Sequence, residues 1–200
     1  MKNLEYLLAT REIPNYTQAE VLSILTKECE LNGKSHQITV CMEEFAELIE
    51  VICENIIKGR VDIIHLKEEL VDCAIALEYL KIIFNIGDIN VEDNLYDKDN
   101  CLNNCILNLS SCITKLSKCI REKVNAHTKI VSVYTTILET IDNIQKFYNI
   151  SEEDSDIVKI SNLKIERCLK RNTAKIEYRD GIVIKQPILS EIIDTEESEN

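Results

Sequence analysis

The chain has 200 residues, a formal net charge of −12, 45% hydrophobic residues, four Gly and two Pro. So few turn-forming residues argue against a β-sandwich or barrel and favour long helices. The acidity argues against binding to nucleic acid or to a membrane surface, because both are negatively charged.

The first half of the chain contains clear helix boundaries. Residues 1–16 are predicted to be an N-terminal arm, broken at Pro14. Thr17 to Glu20 has the pattern of a capping box and predicts a first helix to about Leu31. Two more helices are predicted, from Ser35 to Lys58 and from Asp62 to Asn85.

The second half begins after a polar, loop-like segment at 86–99. Three further helices are predicted over about 100–124, 128–149 and 151–171. In the remaining segment, 173–200, we expect a small β-hairpin followed by an acidic tail. The strands of this hairpin would be Ile176 to Tyr178 and Ile182 to Ile184.

A faint internal repeat relates the two halves. The sequence Phe84-Asn85-Ile86-Gly87 is echoed by Tyr148-Asn149-Ile150-Ser151, each at the end of a long predicted helix. We therefore predict an all-α helical bundle built as a tandem pseudo-dimer, with halves at residues 17–95 and 100–172.

The nine cysteines include no CxxC pair, and Cys101, Cys105, Cys112 and Cys119 would share one helix face. Without paired ligands at zinc spacing, they are predicted to be buried apolar side chains. Free thiols at this density favour a reducing compartment, and the N-terminus has no signal-peptide pattern, so we expect a cytoplasmic protein. No segment reaches the ~20 apolar residues of a membrane span.

Four acids interrupt apolar stripes on two predicted helices. Glu44 and Glu47 lie one turn apart on the second helix, and Glu69 and Asp72 on the third. Burying such carboxylates without compensation is costly, and the sequence indicates no equivalent row of inward basic residues to neutralise them. A shared divalent cation would neutralise them, and an all-oxygen ligand set favours Mg²⁺ or Mn²⁺.

Two other interpretations of these acids compete with a magnesium site. A carboxylate-bridged di-iron bundle uses Glu-x-x-His on two helices, but neither Glu47 nor Asp72 is a histidine. ExxE pairs also occur by chance on solvated helices, and a purely structural bundle would then need no metal.

The paired motif Glu44-x-x-Glu47 and Glu69-x-x-Asp72 resembles the ExxE…ExxD signature of the MazG-like, all-α NTP pyrophosphatase superfamily. The resemblance covers about residues 17–90. It implies an enzyme that hydrolyses nucleoside triphosphates to monophosphates and pyrophosphate, with these four acids as magnesium ligands and catalytic groups. A homodimer is left open.

The resemblance is weaker toward the C-terminus. Lys164-x-x-Arg167 resembles the family's C-terminal Lys-x-x-Arg, which implies that both residues, with Lys58, hold the substrate phosphates. A solvated basic helix end would show the same pattern. Gln37, just before the first motif, is a candidate for contacting the base.

The repeat echo places no acid in the second half, which therefore resembles a degenerate repeat without its own metal site. The positions opposite the four acids are occupied by Cys112, Lys115, Val133 and Thr136. This loss keeps an alternative function open: an inactive or weakly active bundle, of phage or mobile-element origin, that binds nucleotides or a partner protein.

Overall fold

A computed structural model of the protein describes residues 2–89, 100–122, 127–151 and 153–179. These residues contain no strand, so the prediction of an all-α fold is confirmed. The helices are α1 (Lys2–Thr10), α2 (Gln18–Asn32), α3 (Lys34–Lys58), α4 (Ile63–Phe84), α5 (Cys101–Glu122), α6 (His127–Tyr148) and α7 (Ser155–Arg179).

Local capping explains where the early helices begin and end. The Thr17 hydroxyl accepts from the Glu20 amide at 3.3 Å, and the Glu20 carboxylate accepts from the Thr17 amide at 2.8 Å. This confirms the predicted capping box. The Asp62 carboxylate caps α4 by accepting from the His65 amide at 3.1 Å. Gly59, which ends α3, has a left-handed φ of 59° that glycine adopts without strain.

Helices α4 and α6 end in the same way, where the sequence shows its internal echo. Asn85 and Asn149 both adopt left-handed conformations, with φ of 51° and 54°. The next amides, of Ile86 and Ile150, donate to carbonyls five residues back at 3.0 and 2.9 Å. Both isoleucines are buried. Each end is therefore a Schellman motif with its hydrophobic contact.

Helices α3 to α6 form the main bundle. The hairpin α3–α4 packs on the hairpin α5–α6, with α3 against α5 and α4 against α6. The core between them is built from Ile, Leu, Val, Phe and Cys, including Phe45, Leu48, Leu66, Leu109 and Ile137, which are fully buried. A twofold relation between two halves would pair equivalent helices in this way, and the tandem pseudo-dimer stays a prediction.

The cysteines of α5 behave as predicted. Cys101, Cys105 and Cys112 are buried, and Cys119 is half-buried. The Cys105 thiol donates weakly to the Thr140 carbonyl, with a distance of 3.9 Å between sulphur and oxygen. They contribute small apolar volume to the core.

Helices α1, α2 and α7 make a second layer. Helix α7 packs on α2 and α4, which belong to the first half of the chain, although the sequence assigns α7 to the second. The N-terminal arm contains a helix, since Leu4 and Leu8 of α1 pack against Ile160 and Leu163 of α7. No helix in the described segments is both long and apolar enough to cross a membrane.

The predicted C-terminal hairpin is wrong in its first strand. Ile176 to Tyr178 lie within α7, which continues to Arg179. Extending an existing helix is cheaper than nucleating a new element. The last turns are also held on α2, because the buried Asn172 amide donates to the Ile24 carbonyl at 2.9 Å. Residues 182–184 and the acidic tail lie outside the described residues.

The equivalence of the two Schellman motifs is testable. Replacing Asn85 or Asn149 by Ala should each lower the free energy of unfolding by about 1 kcal/mol, because a β-carbon without a polar group disfavours the left-handed region. The glycine variants at the same positions should keep or raise it. Urea denaturation of the four variants measures these changes. Unequal changes in the free energy of unfolding at Asn85 and Asn149 would show that the two helix ends are not equivalent.

Candidate functional site

Helices α3 and α4 bring three of the four predicted acids together. Carboxylate oxygens of Glu44, Glu47 and Glu69 lie within 4.8 Å of one another. The first two share one face of α3, and the third faces them from the antiparallel α4. Three oxygens at this separation can contact a single ion.

The three carboxylates differ in their surroundings. Glu47 is exposed, Glu44 is half-buried and Glu69 is buried. The Nε2 atom of His65 lies 3.3 Å from Oε1 of Glu69. The other oxygen, Oε2, is buried and has no hydrogen-bond partner among the described residues. A buried oxygen without a donor is costly unless something binds it.

Asp72 lies beside the cluster but has its own partner. Its Oδ2 accepts from Nζ of Lys164 at 2.5 Å, and the same ammonium lies 2.9 Å from Glu68. Lys164 thus ties α7 to α4 through two carboxylates. No lysine or arginine among the described residues pairs with Glu44, Glu47 or Glu69, although His65 contacts Glu69.

Burial and mutual repulsion raise the pKa values of the cluster. Desolvation, followed by repulsion from Asp72 and Glu47, raises the pKa of Glu44 to about 7 and that of Glu69 to about 8. Burial also raises the pKa of Asp72, although Lys164 opposes the shift. Both factors disfavour the charged form, so a cation would stabilise the ionised cluster.

The acids open into a cavity of about 380 Å³ between α2, α3, α4 and α7. Three of the residues that the resemblance implied for substrate binding line it: Gln37, Lys164 and Arg167. Glu44, Glu47 and Asp72 line it as well. One cavity therefore collects seven of the eight predicted site residues, counting Glu69 through its contact with the cluster.

Lys58 is the predicted residue that the structure does not bring to this cavity. It pairs with Glu54 at 2.5 Å and lines a second cavity near the turn between α3 and α4. It lies eleven residues beyond Glu47 on the same helix, about 16 Å along the axis. Lys58 is therefore too far from the acids to hold a phosphate beside them.

A row of cations on α7 faces the acids, contrary to the expectation that no such row exists. Four basic side chains at spacings of three, four and four residues line the cavity: Lys164, Arg167, Arg171 and Lys175. This spacing follows one helix face. The sequence prediction ends α7 near Arg171, which leaves out the last cation and hides the pattern.

Glu28, a buried acid that lines the cavity, is also missing from the site residues predicted from the sequence. Glu28 of α2 is buried, accepts from the Tyr79 hydroxyl at 2.5 Å and from Nε of Arg171 at 3.1 Å. Burial is the main cause that raises the pKa of Tyr79. Glu28 follows the buried Ile24 and Leu25 at helical spacing, a signal that could have placed it inward.

The donor set fits a hard divalent cation. All three converging groups are carboxylates, the ligands that Mg²⁺ and Mn²⁺ prefer. The buried Oε2 of Glu69, which no described residue satisfies, is an independent sign that the cluster is incomplete. His65 contacts Glu69, but among the described residues no histidine nitrogen or thiol sulphur lies within 4.8 Å of all three carboxylates.

Comparison of the chain with protein-family models, with curated proteins and with solved structures found no match. The functional assignment therefore depends on the cavity itself. It is lined by acids of the converging cluster, by the cations of α7 and by the side-chain amides of Asn32 and Gln37. The resemblance to the MazG-like superfamily supplies a hypothesis, and the cavity supplies residues with which to test it.

The raised pKa values predict how stability depends on pH and metal. Without divalent cations, folding keeps protons on Glu44 and Glu69 that the unfolded chain releases near the ordinary glutamate pKa of 4.5. The free energy of unfolding should therefore fall as pH rises from about 5 to about 8. Mg²⁺ should restore stability more at pH 8 than at pH 5, where it must displace protons.

Thermal unfolding in EDTA or in Mg²⁺ measures this, since each kcal/mol shifts the midpoint by about 2–4 °C in a chain of this size. A Glu69→Gln variant should keep only the part of the pH dependence that comes from Glu44, and it should lose most of the Mg²⁺ effect. If it responds to Mg²⁺ as the unchanged protein does, Glu69 is not a ligand.

Proposed function

We propose that the protein is a Mg²⁺-dependent nucleoside triphosphate pyrophosphohydrolase, which adds water between the α and β phosphates and releases a nucleoside monophosphate and pyrophosphate. One observation carries the proposal. Three carboxylates converge on one side of a cavity, and a row of cations on α7 lies on the other. Such a cavity suits a polyanion that is bound together with a metal ion.

Glu44, Glu47 and Glu69 would hold Mg²⁺, or Mn²⁺, with Asp72 beside them. The bound ion would offset the charge of the triphosphate, polarise the attacked phosphorus and activate water. Glu47 is exposed where the others are not, so its carboxylate is best placed to accept a proton from the attacking water. Lys164 of α7 pairs directly with Asp72 and holds it in place.

Arg167 is the cation best suited to bind phosphate. Its side chain is exposed, lines the cavity and forms no ion pair with any residue the structure describes. Lys164 and Arg171, by contrast, are occupied by Asp72 and Glu28. A free guanidinium can bind two phosphate oxygens at once.

The acids are tested by Glu47→Gln, with Glu50→Gln as a matched control on the same helix. Glu50 is exposed and does not line the cavity. Glu47→Gln should lower Mg²⁺-dependent pyrophosphate release by about 100-fold or more, the range that loss of a general base costs. The control should keep its activity, and circular dichroism should show both variants folded.

The outcomes separate the candidate functions. Full activity of Glu47→Gln would show that these acids do not carry the reaction. Nucleotide binding that requires Mg²⁺ but gives no turnover, in the unchanged protein, would favour the nucleotide-binding alternative. The absence of any Mg²⁺ effect on stability or binding would leave only a structural bundle.

The phosphate site is tested by Arg167→Gln against Lys170→Gln. Both remove one positive charge from α7, but Lys170 pairs with Glu166 and does not line the cavity. Losing charged hydrogen bonds to phosphate should raise KM for the nucleotide by about 10- to 100-fold in Arg167→Gln. Steady-state pyrophosphate release measures both, and an equal KM in the two variants would contradict the assignment.

A further inference from the structure

The cavity continues past the acids toward the beginning of α3. Val40 lies one turn before Glu44, and Gln37 two turns before it, about 10 Å along the helix. Val40 and Ile75 line the middle of the cavity, and the side-chain amides of Gln37 and Asn32 line its far end. A nucleoside held by its phosphates at the acids would cross this apolar middle and bring its base to the amides.

The hydrogen bonds at the far end have a defined direction. Lys175 donates to Oδ1 of Asn32, and Nδ2 of Asn32 donates to Oε1 of Gln37 at 3.1 Å. An ammonium can only donate, so it fixes the orientation of the first amide, which fixes the second. The reversed arrangement would set the amide nitrogen of Asn32 against the ammonium.

Gln37 is left with a donor for the cavity. Its side chain is 2% exposed and lines the cavity, and its Oε1 accepts the hydrogen bond from Asn32, which leaves Nε2 as the group that can donate. An amide nitrogen that reaches a cavity gains free energy when a ligand brings an acceptor to it and excludes water. A ligand that brings a second donor leaves both groups unsatisfied.

We propose that this end of the cavity recognises bases that present a carbonyl oxygen, such as uracil or hypoxanthine, where cytosine and adenine present an amine. The inference rests on the proposed function, because the phosphates must lie at the acids for the base to reach Gln37. It names a substrate class: nucleoside triphosphates with keto bases, discriminated from amino bases by the donor on Gln37.

Two pairs of nucleotides test the preference while changing little else. UTP carries a carbonyl on its pyrimidine where CTP carries an amine. ITP carries a carbonyl on its purine where ATP carries an amine. With Mg²⁺, kcat/KM for pyrophosphate release should favour the keto member of at least one pair by about tenfold or more, as sites that read a polar group do. Equal values, or a preference for the amino members, would overturn the inference.

Variants at both ends of the hydrogen-bond chain sharpen the test. Lys175 is exposed, so Lys175→Met should fold, and it frees the two amides to reverse. The ratio of kcat/KM for the keto nucleotide to kcat/KM for the amino nucleotide should then fall toward one. The control, Lys170→Met, removes a charge from another part of α7 and should keep the preference. Gln37→Glu offers only acceptors and should shift the preference toward the amino members.

Binding separates this inference from the proposed reaction. Thermal shifts with α,β-methylene analogues of UTP and CTP in Mg²⁺ need no turnover. If no nucleotide is hydrolysed but the UTP analogue raises the midpoint more, the base preference stands and the reaction does not. If both pairs are hydrolysed equally well, the reaction stands and the base preference does not. If neither analogue binds and none is hydrolysed, both proposals are wrong.

Discussion

The ion pair between Lys164 and Asp72 decides what the rest of the site can do. It ties α7 to α4 across the cavity and satisfies one of the four acids that the two central helices present. Glu44, Glu47 and Glu69 stay together with no lysine or arginine partner among the described residues. Arg167, Arg171 and Lys175 follow Lys164 along the same face of α7 and line the cavity. The cavity therefore has unpaired carboxylates that would be stabilised by a cation and basic side chains that would be stabilised by an anion.

The bundle supports this division through its second half. At the positions that echo Glu44 and Glu69, α5 and α6 carry Cys112 and Val133, and both are fully buried. These small apolar side chains fill the core of the second half, whereas the corresponding acids of the first half lie at the cavity. Packing at close to crystal density holds the acidic helices in fixed positions, which a site with oxygens within 4.8 Å of one another requires. In this interpretation the second half acts as scaffold, and the first half with α7 carries the chemistry.

Local chemistry made much of the fold predictable, and long-range contacts set the limit. The capping box at Thr17 and the asparagine ends of α4 and α6 act within a few residues, so the sequence shows them directly. The acid pairs could be predicted because helical spacing places them on one face. Glu28 and its partner Arg171 are 143 residues apart, and no local pattern reports such a contact. The strand predicted at Ile176 to Tyr178 was wrong for a related reason. The continuation of α7 and its anchoring on α2 outweigh the local preference for a strand.

The state of Glu69 links the metal site to the proposed chemistry. Its carboxylate has an uncompensated buried oxygen and a pKa raised to about 8, so at neutral pH it holds a proton unless a cation takes the place of that proton. A bundle with no function at this position would be more stable with an uncharged residue there. Under the proposed function, protonation would remove the charge that attracts Mg²⁺, and bound Mg²⁺ would supply a partner for the triphosphate. Proton release from Glu69, Mg²⁺ binding and substrate binding would then be coupled at one side chain, and acidification would weaken the binding of both metal and substrate.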